Sequence, residues 1–270
     1  MTHFSFALHQ FTNFGDVPFD PAEYSRLKFG SDISAKQFGH ALAKSFFEKH
    51  SDILMANDCV VIPSPYNFVK NAATLMTLHF VDALNEMLVD ANGNNVEYSI
   101  IHRKVSYTND YGFLSKEKRK GLIDNDNFYL NKAFLKGKML IFIDDVKITG
   151  THEEKLKEVL AKNKMNNTSA FLYFAEYFGD DPSIEAKLNF AGINSLKDYQ
   201  ALSEEPKHQV IIRPIKFVLS QDEEVFDGIL RHFSRDKLQE IYLGSLAEGY
   251  YKIQKYQANL SLLKQFLKEG

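Results

Sequence analysis

Residues 139–151 read MLIFIDDVKITGT. The first five are an unbroken apolar run, the length and composition of a strand buried on both faces. That run delivers two adjacent carboxylates, Asp144 and Asp145, and a Thr-Gly-Thr loop then opens a segment in which Leu156, Val159 and Leu160 recur at helical spacing. Gly150 permits a tight backbone turn. Thr149, Thr151 and the amides of the first helical turn can hydrogen-bond a phosphate, aided by the positive end of the helix dipole. Carboxylates beside such a cradle would repel the phosphate, so they must face another part of the ligand, and a sugar diol or a bound Mg²⁺ would satisfy them. A strand-terminal Asp-Asp or a Thr-Gly turn is common when alone; the two together after five apolar residues form a far more specific pattern.

The surrounding sequence repeats the strand-then-helix arrangement. Cys59-Val60-Val61-Ile62 reads as a buried strand stopped by Pro63-Ser64-Pro65, and Phe68, Leu75, Leu78, Val81, Leu84 and Leu88 mark a helix ended by ANGNN. Strands over 96–101 and 169–175 follow the same logic. Phe4, Phe6 and Leu8 alternate like a half-buried strand, and a helix carrying Phe38, Leu42 and Phe46 begins near Ser34, which with Gln37 matches a capping box. Alternating strands and helices predict an α/β fold with a parallel sheet flanked by helices, whose ligands lie beyond the carboxyl ends of the strands. The expected organisation is an N-terminal hood or extension over 1–57, a core over 58–205, and a C-terminal strand and helical appendage over 206–270. The strand is read from the apolar run 210–219, interrupted by Pro214, and the helices from the charged sequence after it.

Composition narrows the function classes. The 270 residues carry 32 Lys+Arg against 35 Asp+Glu, a net charge of −3, with 44% hydrophobic residues. That is an ordinary globular composition, which excludes a disordered, collagen-like or fully coiled-coil chain. Such a charge supplies no overall field for nucleic acid, so any anion site must be local. The single cysteine, Cys59, cannot form an internal disulfide or a zinc knuckle and points to a reducing, cytoplasmic setting. With no basic-then-apolar leader and no apolar run near the roughly 18 residues of a membrane span, the chain reads as soluble and not membrane-bound. The rival phosphate motifs fail: there is no G-x-G-x-x-G, and Gly137-Lys138 precedes its strand and lacks the Ser/Thr of a Walker A loop.

The segment IDDVKITGT resembles the signature of type I phosphoribosyltransferases, in which a hydrophobic strand is followed by two acidic residues, a hydrophobic residue, two variable positions and Thr-Gly-Thr. The resemblance implies a type I phosphoribosyltransferase-like core that binds 5-phosphoribosyl-1-diphosphate. It sets Asp144 and Asp145 at the ribose hydroxyls and as ligands of Mg²⁺, with Lys147, Ile148, Thr149, Gly150, Thr151 and His152 around the 5-phosphate. The loop of Pro63, Ser64, Pro65, Tyr66 and Asn67 occupies the family's pyrophosphate-loop position, its first proline placed as in the ComF-like branch. The stretch IHRKVSYTNDYGFLSKEKRKGL is similar to the family's catalytic loop, with Arg103 and Lys104 at the strand exit, and its spacing through Leu114, Glu117 and Arg119 looks ComF-like. Tyr107 stands where orotate enzymes carry a second lysine, and Ile148 where hypoxanthine enzymes place an acid, so the resemblance names neither the acceptor nor a general base.

The implied reaction is displacement of diphosphate from the anomeric carbon, with Mg²⁺, Arg103 and Lys104 neutralising the leaving group. A non-catalytic regulatory or accessory protein binding the same diphosphate is the alternative, and a nucleic-acid-handling role would want a basic surface that a charge of −3 does not supply. The acceptor, a nucleobase or other amine, is unspecified, and a homodimer is left open. Other candidates carry less. His152-Glu153 lacks the second histidine of a zinc site. His79 and His102 read as structural, and Lys116, Lys118, Arg119 and Lys120 as a solvated loop. Most of the 23 Phe and 13 Tyr suit a core. Tyr66, Tyr107 and Tyr111 are set in the expected active-site loops, and Phe29-Gly30 in a segment that could hood the acceptor.

Overall fold

A computed structural model describes residues 2–104 and 127–269. The first half contains β1 (His3–Phe11), α1 (Pro21–Lys28), α2 (Asp32–Met55), β2 (Cys59–Pro63), α3 (Ala72–Asp90), β3 (Glu97–Tyr98) and β4 (His102–Lys104). After the undescribed 105–126 come β5 (Asn127–Tyr129), α4 (Lys132–Leu135), β6 (Met139–Lys147), α5 (Thr151–Lys162) and β7 (Ser169–Tyr177). Six helices complete the chain: α6 (Ile184–Asn189), α7 (Leu196–Ser203), α8 (Ile212–Leu219), α9 (Glu223–His232), α10 (Arg235–Ala247) and α11 (Gln254–Glu269). Five strands form one parallel sheet in the order β1-β7-β6-β2-β3, and β4 and β5 form a separate antiparallel pair. The fold is the expected α/β class, a parallel sheet flanked by helices with helices at its C-terminal end.

The central strands show why their sequences are apolar throughout. Successive side chains of a strand point to opposite faces. Met139, Ile141 and Ile143 of β6 therefore enter the core beneath α2 and α3, while Leu140 and Phe142 enter the core beneath α5. α2 and α3 meet closely at Gly39, where a Cβ would lie 2.5 Å from the Met76 carbonyl oxygen.

Several local expectations are corrected. Helix α2 starts at Asp32, capped by Ser31, whose hydroxyl accepts the Ser34 amide; the Ser34 hydroxyl donates instead to Glu23 at 2.8 Å. Phe68 precedes α3 and is 68% exposed, because Asn71 caps that helix only from Ala72. The strand expected over 96–101 shrinks to Glu97–Tyr98. The apolar run 210–219 is not a strand but helix α8: Pro214 falls in its first turn, where the missing amide costs no intrahelical bond.

The divisions at 57 and 205 do not coincide with breaks in packing. β1 pairs along its length with β7, so the first strand belongs to the sheet. Phe29 is buried in a second core with Tyr199, Leu202 and side chains of α8 to α11. The junction between these segments is backbone-tight: the Gln209 amide donates to the Gly30 carbonyl at 3.0 Å. Gly30 has φ +98°, and a Cβ there would lie 2.0 Å from the Gln209 carbonyl oxygen.

His208 holds the same junction. Its Nε2 donates to the Phe29 carbonyl at 2.9 Å, and Nδ1 accepts from the Lys237 ammonium at 3.2 Å. Burial first, and the Lys237 charge second, push its pKa down to about 4 from an ordinary 6.5. A histidine depressed on folding stabilises the protein fully above the unfolded value and loses that contribution as pH falls through the folded one. Wild-type protein is therefore expected to lose on the order of 3 kcal/mol more stability than His208→Gln between pH 7 and pH 4, measured by urea denaturation across the series.

Candidate active site

The two carboxylates at the end of β6 are neighbours in sequence, but each meets a different layer. Asp144 accepts from Nδ1 of His152 in α5 at 3.2 Å, whereas Asp145 is ion-paired with Lys28 at the end of α1. Burial raises the Asp144 pKa, but the hydrogen bond from His152 and the nearby Lys28 charge outweigh it and hold the carboxyl below its ordinary range. Asp145 is almost fully buried, with a relative exposure of 6%, and its Oδ1 also accepts the Val146 amide at 2.8 Å.

Between β6 and α5 the chain turns through Gly150, at φ +72°, with no side chain capping the helix. A Cβ at Gly150 would meet only Lys147 Cε, at 3.4 Å, so the requirement for glycine is conformational and not one of space. The Thr149 and Thr151 hydroxyls lie 2.9 Å apart, and the amides that open α5 have no earlier carbonyl inside the helix to reach. This is an anion-binding geometry. Lys147 does not add its charge freely to it, because its ammonium sits 3.0 Å from Glu153 and 2.8 Å from Glu176. Those carboxylates raise the Lys147 pKa against the lowering effect of burial. Glu153 in turn accepts from the Tyr173 hydroxyl at 3.0 Å, and burial followed by Glu153 raises the Tyr173 pKa far above its ordinary value.

A cavity of about 530 Å³ lies over these strand ends. Its floor comprises Asp144, Asp145 and the loop from Lys147 through Ile148, Thr149, Gly150 and Thr151 to His152. Ser64, Pro65 and Tyr66 form one side. That loop is fixed at both ends, by Asn71, which donates to the Ser64 carbonyl at 3.2 Å, and by Glu248, which accepts the Phe68 and Val69 amides at 2.9 and 2.8 Å. The Arg103 amide donates to the Tyr66 carbonyl at 3.1 Å, which brings Arg103 to the same rim.

A family model described as PRTase ComF-like matches residues 3–263. The chain belongs to the ComF-like phosphoribosyltransferase family. No curated protein matches it. Among solved structures it is similar to a hypoxanthine phosphoribosyltransferase from Staphylococcus aureus, at 11% identity over 54% of this chain and 76% of that one, TM-score 0.36. The enzyme from Trypanosoma cruzi gives 13% identity over 70% and 91%, TM-score 0.39. A purine phosphoribosyltransferase from Pyrococcus horikoshii gives 13% over 54% and 88%, TM-score 0.30.

In this ComF-like chain most of the sequence-predicted residues converge on the cavity. Pro63 does not line it: as the last residue of β2 it pairs with Ile143 inside the sheet. Lys104 pairs with Asn127 in the β4–β5 ladder, its side chain lying outside the described structure, as do Tyr107, Tyr111, Leu114, Glu117 and the basic run of Lys116, Lys118, Arg119 and Lys120. His79 is bonded to Asp32 at 2.9 Å, away from the cavity.

Sequence reasoning missed an entire wall. α1 supplies Tyr24 and Lys28, α8 supplies Arg213 and Lys216, and the turn before α11 supplies Tyr250 and Lys252. One signal was present: two cations three residues apart interrupt the otherwise apolar run 210–219. Among the described residues no group of three or more metal-ligating side chains occurs, and no helix is long and apolar enough to cross a membrane.

Lys28 is the partner that lets Asp145 remain buried. Removing one member of a buried pair leaves an uncompensated charge, whereas removing both removes the penalty. Lys28→Met is expected to cost roughly 3 kcal/mol, and adding Asp145→Asn to restore most of it, a double-mutant cycle measured by urea unfolding.

Proposed function

We propose that the chain transfers a 5-phosphoribosyl group from 5-phosphoribosyl-1-diphosphate to an acceptor bound in the same cavity. The observation that carries this reading is the joint arrangement at the end of β6, where Asp144 and the 147–152 turn face one cavity with the 64–67 loop and Arg103 at its rim. The turn offers the 5-phosphate its amides and threonine hydroxyls, and the helix dipole of α5 favours the phosphate charge. Asp144, held ionised by His152, accepts from the ribose hydroxyls. Arg103 meets the diphosphate as negative charge grows on it, a stabilisation greatest in the transition state.

The donor set fits Mg²⁺, which is commonly held by one or two carboxylates together with substrate oxygens rather than by a protein cage. Asp144 is the residue that would hold it, with Asp145 beside it engaged by Lys28, and when bound it would supply further neutralisation of the diphosphate. Because Lys28 already compensates Asp145, Asp144 is the carboxylate better placed to accept from a ligand.

Replacing Asp144 with Asn keeps the shape and removes the acceptor charge. The variant is expected to bind phosphoribosyl diphosphate at least tenfold more weakly in calorimetry while holding inorganic phosphate within about twofold of wild type, since phosphate needs only the turn. Equal losses for the two would refute the assignment. In wild-type protein supplied with Mg²⁺, phosphoribosyl diphosphate and a panel of nucleobases and amines, diphosphate release above background is expected, and Arg103→Ala is expected to lower kcat more than it raises KM.

A further inference from the structure

The 64–71 loop, which forms one side of the cavity, is held from two directions. The sheet side takes its first half: the Ser64 amide donates to the Ile143 carbonyl at 2.8 Å, and the Tyr66 carbonyl accepts the Arg103 amide. The C-terminal helices take the second half. The Ile212 amide that opens α8 donates to the Lys70 carbonyl at 3.0 Å, and Val69 packs beside Gly244 of α10, where a Cβ would come within 3.2 Å of it.

Glu248 completes that hold. It directly follows α10, and a single oxygen, Oε1, accepts both the Phe68 and the Val69 amide, at 2.9 and 2.8 Å, across 180 positions of the chain in the first case. Local propensity does not account for a carboxylate here, because the C-terminal end of a helix carries partial negative charge and unpaired carbonyls. Ligand contact does not account for it either, since from the cavity wall it would repel a phosphate. The two loop amides are what it serves.

Resting on the transferase reading above, we infer that Glu248 is a positioning residue for the diphosphate side of the site. It fixes the second half of the 64–71 loop, the first half bonds the Arg103 backbone through Tyr66, and the rim that meets the diphosphate is thereby set by the C-terminal helices. The action is one of reach and acceptance, not of charge. None of these contacts involves the 147–152 turn that takes the 5-phosphate in the same reading.

The test is calorimetric titration of the full-length protein with phosphoribosyl diphosphate in the presence of Mg²⁺ and, separately, with inorganic phosphate. Glu248→Gln keeps the reach and an acceptor oxygen while losing the charge, and it is expected to bind phosphoribosyl diphosphate within about threefold of wild type. Glu248→Asp keeps the charge but falls one methylene short, and Glu248→Ala has neither. Each of these two is expected to bind phosphoribosyl diphosphate roughly tenfold more weakly, with inorganic phosphate held within about twofold of wild type. Should Glu248→Ala unfold, the comparison of Asp with Gln decides the matter. The inference is overturned if the Asp and Ala variants bind phosphoribosyl diphosphate as wild type does, which makes the contact merely structural, or if Gln loses as much affinity as Asp, which makes the charge the essential part. It is also overturned if removing the carboxylate tightens binding, which makes Glu248 a competitor of the ligand, or if inorganic phosphate is lost in parallel. Failure of wild-type protein to bind phosphoribosyl diphosphate would refute the transferase reading and the inference with it, whereas wild-type binding left unaltered by the Asp and Ala substitutions would refute the inference alone.

Discussion

Two adjacent carboxylates at the end of a buried strand set the constraint around which the site is arranged. Two like charges so close together in a low-dielectric setting repel and lose hydration, and each must find compensation or protonate. The strand's alternation provides the solution, since neighbouring side chains leave by opposite faces. Asp144 meets His152 on the α5 side, and Asp145 meets Lys28 on the α1 side. The compensation ties both helical layers to the strand end, so the acidic pair also fixes where α1 sits. One carboxylate becomes part of the architecture, and the other is left beside the cavity in ionised form.

The phosphate turn depends on a similar separation of roles. Lys147 opens the stretch that the resemblance sets around the 5-phosphate, yet its charge is spent on Glu153 and Glu176. Glu153 lies in the first turn of α5 and is tied to Tyr173 of β7, so this network clamps the base of the turn between two strands and a helix. What the turn presents is amides, hydroxyls and a helix dipole, which are directional and cannot rearrange as a flexible ammonium can. A glycine in a left-handed conformation between two threonines is what lets the turn close at that point.

The central strands and the Asp-Asp to Thr-Gly-Thr spacing were legible because they are local: an apolar run, a turn residue and a helix start follow one another within thirteen positions. Boundaries were less legible. Ser34 and Gln37 carry the capping-box pattern, but Ser31 takes the cap because Glu23 captures the Ser34 hydroxyl from a different helix. The run 210–219 was ambiguous for the usual reason that short apolar stretches suit a buried strand or a buried helix, and Pro214 is as well tolerated in a first helical turn as at a strand edge. Lys28 and Lys252 could not be read as site residues, since each is an ordinary surface-type residue until the fold brings it to a strand end more than a hundred positions away in the chain, and Arg213 left only the trace of a cation within an apolar run.

That distance explains why the missing wall is a product of the whole chain and not of a detachable appendage. Phe29, next to the Lys28 that neutralises Asp145, is buried among the C-terminal helices, and the adjoining Gly30 accepts the Gln209 amide. Residue 30 admits no side chain because the Gln209 carbonyl occupies its place, so the two segments are locked at one point by backbone contact. Phe29 and Lys28, adjacent in sequence, thus connect the C-terminal core to the carboxylate at the end of β6. The family match extends over 3–263, which includes both the sheet and these helices. The strand end is assembled from residues close in sequence, whereas the wall that faces it depends on the contacts that bring the two ends of this chain together.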